Sequence, residues 1–521
     1  MAAARGPPAV RPAPSSSADE RGARVKSLFR TKSIPELIAA AEEPDKRLQR
    51  TLGPWSLMAL GIGAVIGSGI FILTGTAAAG EVRTYESLLH VPLIDLLLQG
   101  GNSSFTFGRP GAGPAVALSF FLTAIVCGFA ALCYAEMACA IPVAGSAYTY
   151  AYATLGEFIA WMIGWNLVLE YAVSNMAVAV GFSAHVTQMI EGVLGIHLPR
   201  ALTTPAIQGG QFTGAWFNLP GFLVVMGLTW LLVYGIKESA RANDIMVLVK
   251  IAAILVFIIG AARAVDPSNW RPFMPNGFTG VLTGAAIVFF TYIGFDSVST
   301  AAEECKNPQR DLPIGILGTL LVCALLYIGV AVVLTGIARW DTLNNAAPIV
   351  GALKNLGMNT LWKWIDIGAL GGMVSSLLVF QYGQARVWFA MSRDGLLPKF
   401  FSRIHPVHRT PHVSTWIAGF AVAIPSGVWD VGTFADLSSI GTLFAFFVVS
   451  AGVLILRRIR PARAGSFRVP FGPVIPTLSM LACLVLMMAL PLETWVRFVG
   501  WSIAGIVIYF FFGRKHSALA G

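Results

Sequence analysis

The stretch GIGAVIGSGIF, Gly61 to Phe71, sets four glycines, Gly61, Gly63, Gly67 and Gly69, within nine residues of an apolar run from Leu57 to Ala79. The run is long enough to cross a bilayer. Glycine inside a helix costs roughly 0.5 to 1 kcal/mol relative to alanine and exposes the backbone, so a straight membrane helix gains nothing from four of them. The segment reads as a helix built to break. In hydrocarbon a freed amide or carbonyl needs a partner, and broken backbone survives at membrane depth only where it lines a protein or water cavity. A binding site is expected there.

Outward from this stretch, the chain of 521 residues is 56% hydrophobic and 12% charged, with mean hydropathy +0.70. A soluble protein carries about 25% charged residues, so this composition marks an integral membrane protein. Twelve apolar runs of spanning length are read, near 57–79, 114–138, 156–184, 219–236, 244–265, 279–301, 314–338, 363–390, 413–429, 434–456, 474–492 and 495–513. With loops assigned alternately to two sides, one side holds 26 of the 36 Lys and Arg and the other holds nine, while Lys250 lies inside a span. The positive-inside rule then puts both termini in the cytoplasm. The net charge of +10 is therefore topology, and no nucleic-acid partner is expected.

The six cysteines, Cys127, Cys133, Cys139, Cys305, Cys323 and Cys483, have neither a disulfide framework nor a zinc spacing. The first thirty residues lack an apolar h-region, so residues 1–32 read as a disordered cytoplasmic tail. Ser33-Ile-Pro-Glu36 fits a capping box, which predicts a short amphipathic helix on the membrane surface within residues 33–53. The remaining division is 54–265 for a first five-helix half, with an extracytoplasmic insertion at 80–111, 278–456 for a second half, 473–513 for two more helices and 514–521 for a cytoplasmic tail.

Five helices after the glycine cluster, the sixth run reads FFTYIGFDSVST, with Gly294 and Asp296 inside apolar sequence. Paired interruptions at corresponding places of two halves point to a transporter built from inverted repeats, with its site at the bilayer midplane. The order GIGAVIGSGIF, CYAEMACAIPVAGSAYTY, FFTYIGFDSVSTAAEECKNPQRDLPIGI and SRDGLLPKFF resembles the amino acid/polyamine/organocation permease superfamily, in particular its bacterial members similar to cationic amino acid transporters. The resemblance implies an all-α fold of the LeuT type, with twelve transmembrane helices in a five-plus-five inverted repeat, two additional C-terminal helices, and spans 1 and 6 discontinuous. It also implies a multi-pass protein of the cell (inner) membrane. One departure is the stretch between Ala79 and Pro114, where the family has a short turn and this chain has about thirty extra residues, Glu81, Arg83, Glu86, Asp95 and Arg109 among them.

A zwitterionic amino acid needs a positive cradle for its carboxylate and acceptors for its ammonium. The free amides of Gly67, Ser68 and Gly69, with the Ser68 hydroxyl, suit the carboxylate. Unwound carbonyls from Ile62 to Ile66 and from Phe289 to Tyr292 suit the ammonium. Substrate contacts of the family fall on the same two stretches, which carries the assignment to Ile66, Gly67, Ser68, Gly69, Phe289, Thr291, Ile293 and Gly294. The plainer alternative is that the glycines serve close helix packing.

Lys250, in VLVKIAAILVF, is flanked by apolar residues where a charge costs about 2.5 to 3.5 kcal/mol. Desolvation favours the neutral amine, so Lys250 is the candidate proton-coupling residue. The resemblance places it against the broken part of span 1, where related sodium-coupled carriers hold an ion; a permanently charged strut is the alternative. Glu170 is the second intramembrane charge; the resemblance places it at the side-chain end of the pocket, and pairing with Lys250 or a backbone amide is the alternative. Phe380 is bulky where relatives that carry arginine and lysine have small residues, which favours small neutral substrates over cationic ones. Asp296 is expected to cap the second half of span 6. Glu303, Glu304, Lys306, Arg310, Asp311 and Arg386 are expected to form ion pairs at the cytosolic gate.

Other chemistries fit poorly. The glycines miss the dinucleotide fingerprint, because the third comes one residue late and no strand precedes it. His405, His408 and His412 sit among prolines in a loop and read as solvated rather than metal-binding. No phosphate loop or Ser-His-Asp set occurs. The expectation is a secondary active transporter for amino acids, not an enzyme, without a cofactor and with the proton as coupling ion. Its partners are the substrate and the bilayer, and a small membrane subunit is left open. A cationic amino acid carrier, an exchanger and a channel are the competing readings.

Overall fold

A computed structural model describes residues 29–42, 50, 52–81, 109–143, 145–208, 211–234, 239–345, 347–406, 410–459 and 467–517. The tail before residue 29, most of the insertion (82–108) and His408 lie outside the described residues.

In chain order the helices are α1 (Ile34–Glu42), α2 (Pro54–Val65), α3 (Ser68–Ala79), α4 (Val116–Ala140), α5 (Ser146–Thr154), α6 (Glu157–Leu194), α7 (Arg200–Thr203), α8 (Leu219–Tyr234), α9 (Ser239–Ala261), α10 (Gly277–Val288), α11 (Pro308–Ile337), α12 (Pro348–Asn355), α13 (Asn359–Arg393), α14 (His412–Ser426), α15 (Val431–Ile459), α16 (Val474–Met488), α17 (Leu492–Ile508) and α18 (Arg514–His516). Among the described residues, eight helical segments are long and apolar enough to cross a membrane, and the bent pair α2–α3 supplies a ninth. The apolar helices α8 and α16 are shorter. The chain is an all-α membrane protein with two small antiparallel hairpins, β1 (Gly80–Glu81) with β2 (Arg109–Pro110), and β3 (Ile207–Gln208) with β4 (Gln211–Phe212).

Composition explains where helices meet. Large apolar side chains such as Leu321, Leu325, Val496 and Phe511 point outward and are exposed, the pattern of a lipid-facing belt. Small residues occupy the interior contacts, where they let backbones approach. A Cβ on Gly315 of α11 would lie 2.9 Å from the Leu57 Cβ of α2, and one on Gly61 would lie 2.8 Å from Val298. The packing alternative therefore accounts for Gly61 and for Gly69, whose Cβ would lie 3.1 Å from Thr291 Cα, and the break accounts for Gly67. The interior pairs are α4 with α11, α6 with α13 and α15, α9 with α13, and α8 with α14.

Three segments differ from their sequence reading. The third apolar run extends to Leu194 rather than 184, because Ser183, His185 and their neighbours continue one 38-residue helix whose polar groups are turned inward. Helix α1 has its capping box, Glu36 N donating to Ser33 Oγ and Ser33 N to Glu36 Oε2, yet it packs on protein rather than only on the membrane surface. Ile34 and Leu37 are buried, and Lys32 Nζ pairs with Asp394 Oδ1 at 2.7 Å at the end of α13. At the C-terminus the helix continues through Gly513 to His516, where a tail was expected, and Ser517 Oγ then donates to Glu157 Oε2 at 2.5 Å. The two ends of the bundle are thus distinguishable, one carrying α1 and the other the β1–β2 hairpin.

Candidate functional site

The α2–α3 axis bends by 49°. Pro54 starts α2, where a missing amide costs nothing. The helix stops at Ile66 (ψ 89°) and Gly67 (φ −120°, ψ −143°), and α3 begins at Ser68 with no side chain capping it. A helix start leaves its first amides without intrahelical partners, so α3 presents N–H groups from Ser68 onward. The Ser68 hydroxyl beside them also has no hydrogen-bond partner. Free amides at a helix start are a place where an anion can be held.

The second break lies against the first. Following α10, Phe289–Tyr292 forms a 3₁₀ turn, Ile293 is extended (ψ 133°), Gly294 takes φ +121°, and a 3₁₀ helix runs from Phe295 to Glu304. An L-residue rarely adopts that φ. Space imposes the same requirement, since a Cβ on Gly294 would sit 2.9 Å from Ala64 Cβ and 3.1 Å from Val65 N. Gly69 abuts Thr291, and a Cβ added to it would lie 3.1 Å from the Thr291 Cα. Gly67 faces Ser376 of α13, and Ser68 lies beside Gly181 of α6. The stretches around Ile66, Gly67, Ser68, Gly69, Thr291 and Gly294 therefore meet, with α6 and α13 closing the sides; Phe289 and Ile293 flank Thr291 on the broken segment and are buried.

Lys250 faces this junction from α9. It is fully buried, and its Nζ donates to Gly63 O at 2.8 Å, Ile66 O at 2.9 Å and Ser375 Oγ at 3.3 Å. No carboxylate neutralises it among the described residues, so the alternative in which Glu170 pairs with Lys250 is not what the fold builds. The carbonyls at the end of α2 already have partners. Gly63 O and Ile66 O also accept from Ser376 Oγ at 2.9 and 3.1 Å, and Val65 O accepts from Tyr327 OH at 3.0 Å. Sequence alone shows how many carbonyls a break frees, but not which ones neighbouring helices take back.

Glu170 is buried and neither carboxylate oxygen has a hydrogen-bond partner; Asp296 is the same. The Asp296 cap expected from sequence is absent, because the 3₁₀ helix begins without a side-chain cap bond. The two carboxylates are electrostatic neighbours, with the Tyr134, Tyr150 and Tyr171 hydroxyls around them, also unpartnered. Phe380 is 3% exposed, and its ring lies 6.0 Å from that of Tyr171. Next to it, Gln381 bridges Asn175 and Thr229 at 2.9 and 2.7 Å. The tyrosines and Asp296 as a buried polar nest escaped the sequence reading, since their helices bring them together from distant positions.

Each end of the bundle carries an ion pair. At the α1 end Arg386 Nη2 meets Glu304 Oε1 at 2.8 Å, one of the gate pairs expected from sequence. At the hairpin end Arg109 Nη1 meets Asp436 Oδ1 at 2.9 Å and Glu81 Oε2 at 3.6 Å. Arg109 and Asp436 are buried, so the neck of the insertion is fastened to α15. His405 and His412 touch only edge to face, with ring centroids 5.2 Å apart.

Two facing helix breaks, an uncapped helix start and a buried ammonium inside an apolar bundle are the parts of a solute carrier, and comparison with known proteins agrees. The chain belongs to the amino acid permease family, whose signature it matches over residues 52–512. It is 47% identical to the branched-chain amino acid permease BcaP of Bacillus subtilis (strain 168), over 95% of this chain and 99% of that one. It is 44% identical to the methylthioribose transporter of the same organism, over 95% and 100%. The chloroplastic cationic amino acid transporter 9 of Arabidopsis thaliana is 36% identical, over 83% and 71%.

Proposed function

We propose that this permease is a secondary active transporter that moves small neutral amino acids by alternating access, in symport with protons. The observation that carries the reading is the Lys250 ammonium held by Gly63 O and Ile66 O, directly beneath the uncapped start of α3. Protonated, Lys250 ties α9 to the end of α2. Deprotonated, it gains a lone pair, keeps two donors and loses its charge, and the tie to the break weakens. The substrate carboxylate then sits on the amides of Gly67 to Gly69 and its ammonium on the remaining backbone acceptors, with Phe289, Thr291, Ile293 and Gly294 forming the opposite wall. Phe380 limits the length of the side chain. The name of the BcaP relative supports a branched-chain substrate.

Twelve crossings in a five-plus-five arrangement are part of this reading, with α2–α3 as the first and α10 to Glu304 as the sixth. Contact symmetry supports it. Under that repeat α4 and α11, α6 and α13, and α8 and α14 are equivalent helices, and each pair packs together. The packing of α6 on α15 is likewise mirrored by that of α13 on α9. Charge distribution supports cytoplasmic termini in a cell membrane, which makes the hairpin end extracytoplasmic.

A second reading, a cationic amino acid as substrate, has one observation in its favour. Glu170 and Asp296 are two buried carboxylates without a cation, and a charged side chain would supply one. Reconstitution into proteoliposomes decides between the two, with labelled leucine, valine, alanine, arginine and methylthioribose offered with and without an inward proton gradient. Accumulation of neutral amino acids that requires the gradient is expected. Gradient-independent uptake, or preference for arginine, overturns the respective part.

A further inference from the structure

Between the paired breaks and the hairpin end, a second buried titratable site stands apart from the machinery described so far. His185 on α6 and Asp366 on α13 face each other, Nδ1 hydrogen-bonded to Oδ1, and both side chains are completely buried. The other polar atom of each, His185 Nε2 and Asp366 Oδ2, has no hydrogen-bond partner. Gln188 Oε1, one turn closer to the hairpin end on the same helix, is also without one. The imidazole lies edge-on to Phe71 of α3, with ring centroids 6.2 Å apart. The site therefore joins the three helices that line the outer half of the path, α3, α6 and α13.

Its surroundings fix its charge. Helix α3 contributes no titratable side chain. On α13 and α12, Lys363 and Lys354 lie over the Trp362 ring, 5.8 and 4.3 Å from its centroid. On α9, Lys250 is held by the carbonyls of the break. On α6 itself the nearest carboxylates along the chain are Glu191 and Glu170, α7 carries Arg200, and Asp436 of α15 is paired with Arg109. Toward this end α8 and α14 add none, their titratable Tyr234 and His412 standing at the opposite end. None of these groups forms an ion pair with His185 or Asp366 among the described residues. A neutral imidazole beside a carboxylate has a net charge of −1, and an uncompensated charge in a closed apolar site is costly. One bound proton, on either the ring or the carboxyl, brings the pair to zero. A proton shared by the pair therefore favours the dry, closed arrangement, and water at Nε2 and Oδ2 favours its loss.

We propose that His185 and Asp366 form an outer proton-binding site of the transport cycle, loaded from the hairpin side, whose occupancy closes α3 against α6 and α13. The proposal rests on the proton-coupled reading and adds a second station to Lys250. Loading forms one N–H or O–H bond with a proton from water and breaks none in the protein. Release follows when the outer half of the path opens and hydrates.

The test compares purified, reconstituted wild type, His185→Asn/Asp366→Asn and the apolar pair His185→Leu/Asp366→Leu, with folding checked by size exclusion. Replacing a buried ion pair by apolar residues is commonly tolerated, so the second variant guards against misfolding in the first. Initial uptake is measured while external pH is stepped from about 5.5 to about 8 at fixed internal pH, the range a histidine site spans. Wild-type uptake is expected to fall by about tenfold across that range, and either paired variant to stay within about twofold. Asp366→Glu, which keeps a titratable pair, is expected to retain the fall. A wild-type slope in the paired variants overturns the outer site; if Lys250→Ala meanwhile loses gradient-driven accumulation, the proposed function stands. A wild type without any response overturns both. A thiol at Gln188→Cys should gain more reactivity toward an external reagent between low and high pH in the otherwise wild-type chain than in the His185→Leu/Asp366→Leu background, where thiol ionisation alone raises the rate. Equal gains overturn the proposal.

Discussion

At Lys250 one side chain makes three hydrogen bonds in a place where, among the described residues, no anion pairs with it, and its consequences can be tested singly. Lys250→Ala removes the donors that hold Gly63 O and Ile66 O. Substrate accumulation driven by a pH gradient should vanish in proteoliposomes, while binding measured by substrate-induced thermal shift persists. Gly69→Val forces a branched side chain against Thr291, at an overpacking cost of about 1 to 3 kcal/mol. If that cost falls on the bound state, substrate affinity should drop by about fivefold to about a hundredfold, since 1.4 kcal/mol is one decade. Phe380→Ser opens the wall beside Tyr171, and uptake should extend to longer or basic side chains in a competition screen. At this scale the sequence was most informative, because a lysine, a glutamate and a cluster of glycines are conspicuous in hydrocarbon. It was uninformative about Asp296, His185 and Asp366. A carboxylate near a break reads as a cap, and neither His185 nor Asp366 stands out until the facing helix is known.

Among the elements, the two interrupted helices are tied together by their contact at Gly294 and Gly69. Gly294 is required twice, by its φ of +121° and by Ala64 at the position of the missing Cβ. Gly294→Ala should cost about 1 to 3 kcal/mol from backbone strain alone. The expected result is a lower melting temperature in detergent together with loss of transport. If stability falls while uptake is normal, the apposition is structural only. The existence of both breaks was legible in sequence from glycine placement. Which carbonyls remain for a ligand was not, because Ser376 and Tyr327 come from helices about three hundred residues further along the chain.

Across the whole molecule, one buried and one half-buried ion pair fasten the two ends of the bundle. Arg109 and Asp436 tie the junction before α4 to α15 at the hairpin end, and Lys32 with Asp394 ties α1 to α13 at the other. Arg109→Met alone strands the Asp436 carboxylate and should destabilise by about 3 to 5 kcal/mol. Arg109→Met with Asp436→Leu should recover most of that loss, read as the unfolding midpoint of the purified protein. Amino-acid sequence by itself determined the medium, the all-helical class, the places where two helices must break and the anomalous lysine, because each follows from local chemistry: hydropathy, helix propensity and the cost of a lone charge in hydrocarbon. Tertiary structure alone decided which polar groups satisfy one another. That Lys250 rests on carbonyls rather than on Glu170, that Asp296 is left uncapped beside Glu170, and that His185 meets Asp366 all depend on how separate helices are rotated and packed. Hydrogen bonds and charge pairs act over a few ångströms, and residues far apart in the chain come within that range only after the bundle has closed.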